Sequence, residues 1–170
     1  MRFPRQSAPV TSWRGRILAF VPAAAWYGVI FAFSAQTGDE SGKLSGAVVD
    51  RSIGLLGKWG EIFHWNWEAV QLLSFLIRKA AHMGIYFILA ALVLYGVTRL
   101  GCTKTAAWTA LVCAVLAALD EVHQVFVPGR DGKVTDVLID LGGVACLLLV
   151  WWAITAIAGR GRKATAPAEN

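Results

Sequence analysis

Four apolar runs divide the chain, separated by polar stretches of unequal length. The first run is Ile17 to Phe33, about the minimum length for a helix that crosses a bilayer. The second begins near Glu68 and continues to about Thr98. At about 1.5 Å per residue that helix measures roughly 45 Å, longer than the ~30 Å hydrocarbon core, so it tilts or projects on one side. The third run is Thr105 to Leu119 and the fourth is about Val134 to Ala158. The pattern predicts an all-α polytopic membrane protein with four transmembrane helices. The domain expected is residues 17–158, with tails at 1–16 and 159–170.

The longest connection, Ser34 to Ile77, has structure of its own. It opens with turn chemistry at Ser34, Gly38, Asp39, Ser41 and Gly42. From Leu44 onward, Leu44, Val48, Leu55, Trp59 and Ile62 recur at helical spacing, with Lys43, Asp50, Lys58 and Glu61 between them. This predicts an amphipathic outer segment between the first and second spans, lying at the interface or packed on the bundle. Trp59, Trp65 and Trp67 suit an interfacial aromatic belt, and His64 among them suits the headgroup region. A cleaved leader ending near Ala32 and Ser34 is the alternative for the first run. Its length, and Pro22, Trp26 and Tyr27 within it, argue for a packed span instead.

Composition agrees with the pattern. The chain is 56% hydrophobic and 16% charged, with a mean hydropathy of +0.55, where a water-soluble domain has about 25% charged residues. The net charge of +5 lies in short clusters at the ends of apolar runs, which is a topology signal rather than a nucleic-acid-binding face. With both termini cytoplasmic, the inner segments hold nine bases and one acid, and the outer side seven bases and ten acids. This bias favours a multi-pass protein of the bacterial cytoplasmic (inner) membrane with both ends inside. Cys102, Cys113 and Cys146 are odd in number and form no CxxC, so they serve as small packing residues.

Up-and-down topology then brings the polar groups of the spans to one level. Ser34 and Gln36 end the first span. Lys79 and His82 lie near the start of the second, on one face with Tyr86. Asp120, Glu121 and Gln124 end the third, Arg130 lies in the Pro128-Gly129 turn, and Asp136 and Asp140 begin the fourth. Charged groups in a membrane face inward and pair. One outcome is a structural network in which Lys79 pairs with Asp120 or Glu121, and Arg130 with Asp136. Another is an acid/base site, with Glu121, Asp120 and His82 as candidate catalytic groups. A third is a ligand site, in which Lys79 and Arg130 clamp a phosphate and Gln124, Ser34 and Gln36 add hydrogen bonds. His82, Glu121, Asp136 and Asp140 offer metal-ligand atoms but no metal-site spacing, and Lys79 and Arg130 oppose a cation. Neither metal nor cofactor is expected.

Three segments also resemble a known family. Phe33-Ser34-Ala35-Gln36, Arg78-Lys79-Ala80-Ala81-His82 with Tyr86, and Asp120 to Arg130 followed by Asp136 and Asp140 are similar to the VanZ-like family of bacterial integral membrane proteins. The resemblance covers roughly Ile17 to Trp152. It implies Lys79, His82, Asp120, Glu121, Gln124, Arg130 and Asp136 as the characteristic polar set. Asp140 stands where the family commonly carries Asn. The founding member is associated with low-level teicoplanin resistance. The resemblance implies the fold and the site; together with the polar set it leads to the expectation of an envelope protein whose outward-facing site binds a lipid-linked or glycopeptide-type ligand and affects antibiotic susceptibility. A membrane-embedded hydrolase or transferase acting on a phosphate-containing lipid is the alternative.

Overall fold

The computed structural model describes residues 12–56 and 67–164, and all of it is helix and turn. The expectations placed on Lys58, Trp59, Glu61, Ile62, His64 and Trp65, on both chain ends, and on the side chains of Leu55, Trp67, Arg160, Arg162 and Lys163 lie outside the described residues. Helix α1 (Trp13–Leu18) and α2 (Val21–Ser34) form the first apolar rod. Helix α3 (Gly38–Leu56) is the amphipathic segment. Helices α4 (Trp67–Arg99), α5 (Thr105–Gln124) and α6 (Val134–Ala164) complete the bundle. Four stretches are long and apolar enough to cross a membrane: Trp13–Ser34, Glu68–Arg99, Thr105–Gln124 and Val134–Ala158.

Local chemistry explains the boundaries. Ser12 caps α1 by accepting the Gly15 N–H at 3.2 Å. Pro22 stands in the first turn of α2, where a missing N–H costs nothing, and the rod breaks just before it. Helix α3 starts earlier than the run of turn residues suggests. Thr37 and Glu40 form a capping box: Glu40 Oε2 accepts the Thr37 N–H at 2.9 Å, and Thr37 Oγ1 accepts the Glu40 N–H at 3.4 Å. The N–H donated to it, then the Thr37 hydroxyl, hold the Glu40 carboxyl below the usual carboxylate range. Capping thus carries the helix through Gly42 and Gly46, and the turn shrinks to the residues around Gln36.

Helix α4 is the centre. Tyr86, Leu89, Ala90, Val93 and Val97 are buried along it, and it packs against α2, α3, α5 and α6. Its chain direction matches that of α6, because α5 returns between them. The contact is close: a Cβ added to Gly143 would lie 2.1 Å from the Met83 carbonyl oxygen. On α5 the inward positions recur every fourth residue as Thr105, Thr109, Cys113 and Ala117, small groups that let helices approach where no hydrophobic effect drives them together. Outward, Leu111, Val115, Leu119, Leu149, Trp152 and Ile154 are exposed, as lipid-facing positions must be.

Gly143→Ala sets a Cβ against backbone that no rotamer change relieves. It is expected to lower the stability of the detergent-solubilised protein by about 1–3 kcal/mol. Gly142→Ala meets only the Met83 methyl carbon at 3.7 Å, so its thermal unfolding should stay near wild type. Equal effects at the two positions would contradict the close packing.

Candidate functional site

The polar residues of four elements meet at one end of the bundle. From Asp140 to Ala158, and from His82 to Arg99, the helices run roughly 25 Å, close to the thickness of a hydrocarbon core. The polar layer therefore sits at an edge of the apolar slab, where charge is less costly than at the midplane.

Two parallel rungs join α4 to α6. Lys79 Nζ pairs with Asp136 Oδ1, and His82 Nδ1 lies 3.1 Å from Asp140 Oδ1. The rung residues are three apart on α4 and four apart on α6, so each meets its partner in register. Asp140 is wholly buried. This corrects the expected pairing of Lys79 with Asp120 or Glu121, which belong to the antiparallel neighbour α5. Gln124 instead spans the two α5 carboxylates, its Nε2 donating to Asp120 Oδ2 at 3.2 Å and Glu121 Oε1 at 3.3 Å. Glu121 Oε2 accepts the Lys133 N–H at 2.8 Å. That places a carboxylate on an otherwise open donor at the positive end of α6.

Arg130 does not pair with Asp136 as expected. Its Nε donates to the Gln36 carbonyl and its Nη2 to the Phe33 carbonyl, both at 3.1 Å. The Phe33 carbonyl, in the last turn of α2, also accepts the Gln36 N–H at 3.3 Å, and the Gln36 carbonyl lies just beyond the helix, so the guanidinium adds a C-terminal cap from a distant part of the chain. Burial, and then the charge of Arg78, make Arg130 less basic than usual. Backbone ties reinforce the strap. Gly38 N–H donates to the Pro128 carbonyl at 3.1 Å, and a Cβ on Gly38 would lie 2.0 Å from the Gly129 oxygen. Gly129 itself has φ +73, which a residue with a side chain rarely adopts.

Beneath the strap lies a cavity of about 330 Å³. Helix α2 contributes Ile30, Phe33 and Ser34, and α3 contributes Ser41, Leu44, Ser45 and Val48. Helix α4 adds Ile77, Arg78, Ala81, His82 and Ile85, and α5 adds Asp120 and Gln124, with Gln36 and Arg130 at the rim. Ser34 Oγ and Asp120 Oδ1 are buried here without a hydrogen-bond partner. Of the residues expected at the site, Ser34, Gln36, His82, Asp120, Gln124 and Arg130 come together at this cavity. Lys79, Glu121, Asp136 and Asp140 stand outside its lining. His123 stacks on Phe31, ring centroids 4.2 Å apart, and is not a lining residue.

The VanZ/LLP1 family matches residues 19–156. The chain belongs to that family. No curated protein and no solved structure matches it. In this VanZ/LLP1 protein the cation lining the cavity from α4 is Arg78 and not the expected Lys79. Its signal was present: Arg78, Ala81, His82 and Ile85 follow i, i+3, i+4, i+7 spacing and define the cavity face. Ser41 and Ser45, four apart on α3, carry the same signal. Among the described residues, no group of three or more His, Cys, Asp or Glu is placed to hold a metal ion.

The Lys79–Asp136 rung is testable by a double-mutant cycle. Lys79→Met leaves a carboxylate unpaired, and Asp136→Leu an ammonium. With side chains 19% and 15% exposed, each single change should cost about 1–3 kcal/mol, and the coupling should be about 0.5–3 kcal/mol. Additive effects in thermal unfolding would rule the rung out as an energetic contact.

Proposed function

We propose that this protein binds the head of an anionic, phosphate-bearing membrane lipid in the cavity between α2, α3, α4 and α5. The observation that carries this function is that Arg78 and Arg130 both line one cavity, and neither makes an ion pair among the described residues. Two neighbouring guanidiniums repel each other, and an anion between them relieves that cost while filling a fork-shaped donor set. The rest of the lining suits an amphiphile. Ser34, Ser41 and Ser45 offer hydroxyls near the head, and Ile30, Phe33, Leu44, Val48, Ile77 and Ile85 offer apolar surface for a tail. A purely structural network explains Lys79, Asp136, His82 and Asp140. It does not explain Arg78, or the unpartnered oxygens of Ser34 and Asp120.

Cavity size favours a small amphiphile over a glycopeptide. Drug-sized ligands occupy pockets of about 300–1,000 Å³. A cavity of about 330 Å³ holds a headgroup and the start of a tail, and not a glycopeptide. An effect on teicoplanin susceptibility would then follow from binding a lipid-linked envelope precursor rather than from capturing the antibiotic.

The orientation belongs to the same proposal. The protein sits in the bacterial cytoplasmic membrane with tails 1–16 and 159–170 inside, and the cavity opens at the outer leaflet. The excess of Lys and Arg at the opposite ends of the spans supports this. A cysteine at the exposed Asp131, in a chain lacking Cys102, Cys113 and Cys146, should react with an impermeant maleimide in intact cells. Reaction only after permeabilisation would reverse the orientation.

Binding is checked with phosphatidic acid presented to the purified full-length protein, with diacylglycerol as the uncharged control. Arg78→Gln should weaken phosphatidic acid binding about tenfold or more, the loss of one charge-assisted contact. Arg130→Gln should do the same and also loosen the α2–α3 junction. Equal binding of phosphatidic acid and diacylglycerol would overturn the proposal.

A further inference from the structure

Anion binding needs neither a histidine nor a buried aspartate, yet both stand at the cavity. His82 is a lining residue, and its Nδ1 lies 3.1 Å from Asp140 Oδ1. A carboxylate at Nδ1 holds the proton on that nitrogen, which leaves the lone pair on Nε2. Nε2 is hydrogen-bonded by no described residue. Asp140 is at zero exposure and outside the lining, so it touches the ring and not the ligand. On the facing helix, Asp120 also lines the cavity. Gln124 takes its Oδ2, and its Oδ1 is buried and unpartnered. A base on α4 and a carboxyl on α5 thus belong to the lining of the cavity that Arg78 and Arg130 share. Glu121 has no such freedom, since Gln124 and the Lys133 N–H occupy its two oxygens.

Resting on the anionic-lipid site proposed above, we infer that the cavity is hydrolytic and removes the terminal phosphate of a phosphorylated lipid. His82 is the general base, Asp120 the general acid, Arg78 and Arg130 the phosphate holders, and Asp140 a positioning residue. A terminal phosphate is favoured over a diester because it carries a second negative charge and a third free oxygen for two guanidiniums to share. A water molecule attacks phosphorus and gives a proton to His82 Nε2. The bond from phosphorus to the lipid-side oxygen breaks, and its electron pair stays on that oxygen. Asp120, as the acid of this scheme, delivers the proton to it. The imidazolium then returns its proton, through solvent, to the Asp120 carboxylate. The balance is a phosphorylated lipid plus water giving the lipid hydroxyl and inorganic phosphate, or the lipid monophosphate and inorganic phosphate when the substrate is a diphosphate. No further reactant is needed.

The test is release of inorganic phosphate by the purified full-length protein, with phosphatidic acid and a long-chain polyprenyl diphosphate as separate substrates. Wild type is expected to release phosphate from at least one of them, and which one identifies the class. His82→Gln and the isosteric Asp120→Asn should each reduce kcat by about 10²-fold or more, the usual contribution of a positioned acid or base. Phosphatidic acid binding by His82→Gln should stay within about twofold of wild type. Asp140→Asn should lower kcat while leaving KM near wild type. Free imidazole should restore part of the activity of His82→Ala, which a merely structural histidine would not allow. Binding without release from either lipid, or release indifferent to both His82→Gln and Asp120→Asn, overturns the hydrolytic assignment alone. Failure of wild type to bind either lipid overturns the anionic-lipid site as well.

Discussion

Buried carboxylates in an apolar slab are tolerated only when something answers their charge, and in this protein the answer is the contact of α4 with α6. Asp136 and Asp140 enter the bundle one helical turn apart, and Lys79 and His82 meet them in register. The pairing requires the two backbones to come close, and Gly143 against the Met83 carbonyl supplies that approach. Neither feature works alone. A bulkier residue at position 143 would separate the rungs, and an unpaired aspartate would make the close contact costly. The other elements assemble around this axis.

With two acids and two bases used in the rungs, the remaining polar groups are free to do other things. Arg130 reaches across to the Phe33 and Gln36 carbonyls at the end of α2 and straps the α5–α6 turn to the start of α3. That fixes α3 over the side of α4 rather than in its core, so a cavity stays open between them. The cavity is amphipathic because each wall is a helix seen at the border of its polar and apolar faces. Arg78 follows directly after the apolar Ile77, and Ser41 and Ser45 alternate with Leu44 and Val48. Ser34 and Asp120 line this cavity, and Ser34 Oγ and Asp120 Oδ1 are buried without a hydrogen-bond partner.

Much of the architecture is legible in the sequence. The spans are long uninterrupted apolar runs, and length alone distinguishes them. The polar layer is legible because Ser34, His82, Asp120 and Asp140 fall at matching distances along alternating helices. Partner choice is not. Whether Lys79 meets Asp120 or Asp136 depends on which helices touch and in which direction, and Lys79 looks the same either way. Arg130 was hidden for a different reason, since its partners are backbone carbonyls that carry no residue identity. Arg78 is concealed by its neighbour: two adjacent bases on a helix point about 100° apart, and only the positions of Ala81 and Ile85 show which one faces the cavity. The start of α3 was masked by glycines, whose poor propensity the Thr37–Glu40 capping box outweighs.

In the proposed function Arg78 and Arg130 share one anion in the cavity beneath the strap. This sharing is tested most directly by an experimental structure of the full-length protein in lipid nanodiscs containing phosphatidic acid. Phosphate density is expected within hydrogen-bonding distance of both guanidiniums, with tail density running along Ile77 and Ile85. A cavity holding only water or closed by α3, with Arg78 turned out to the bilayer surface, would contradict it.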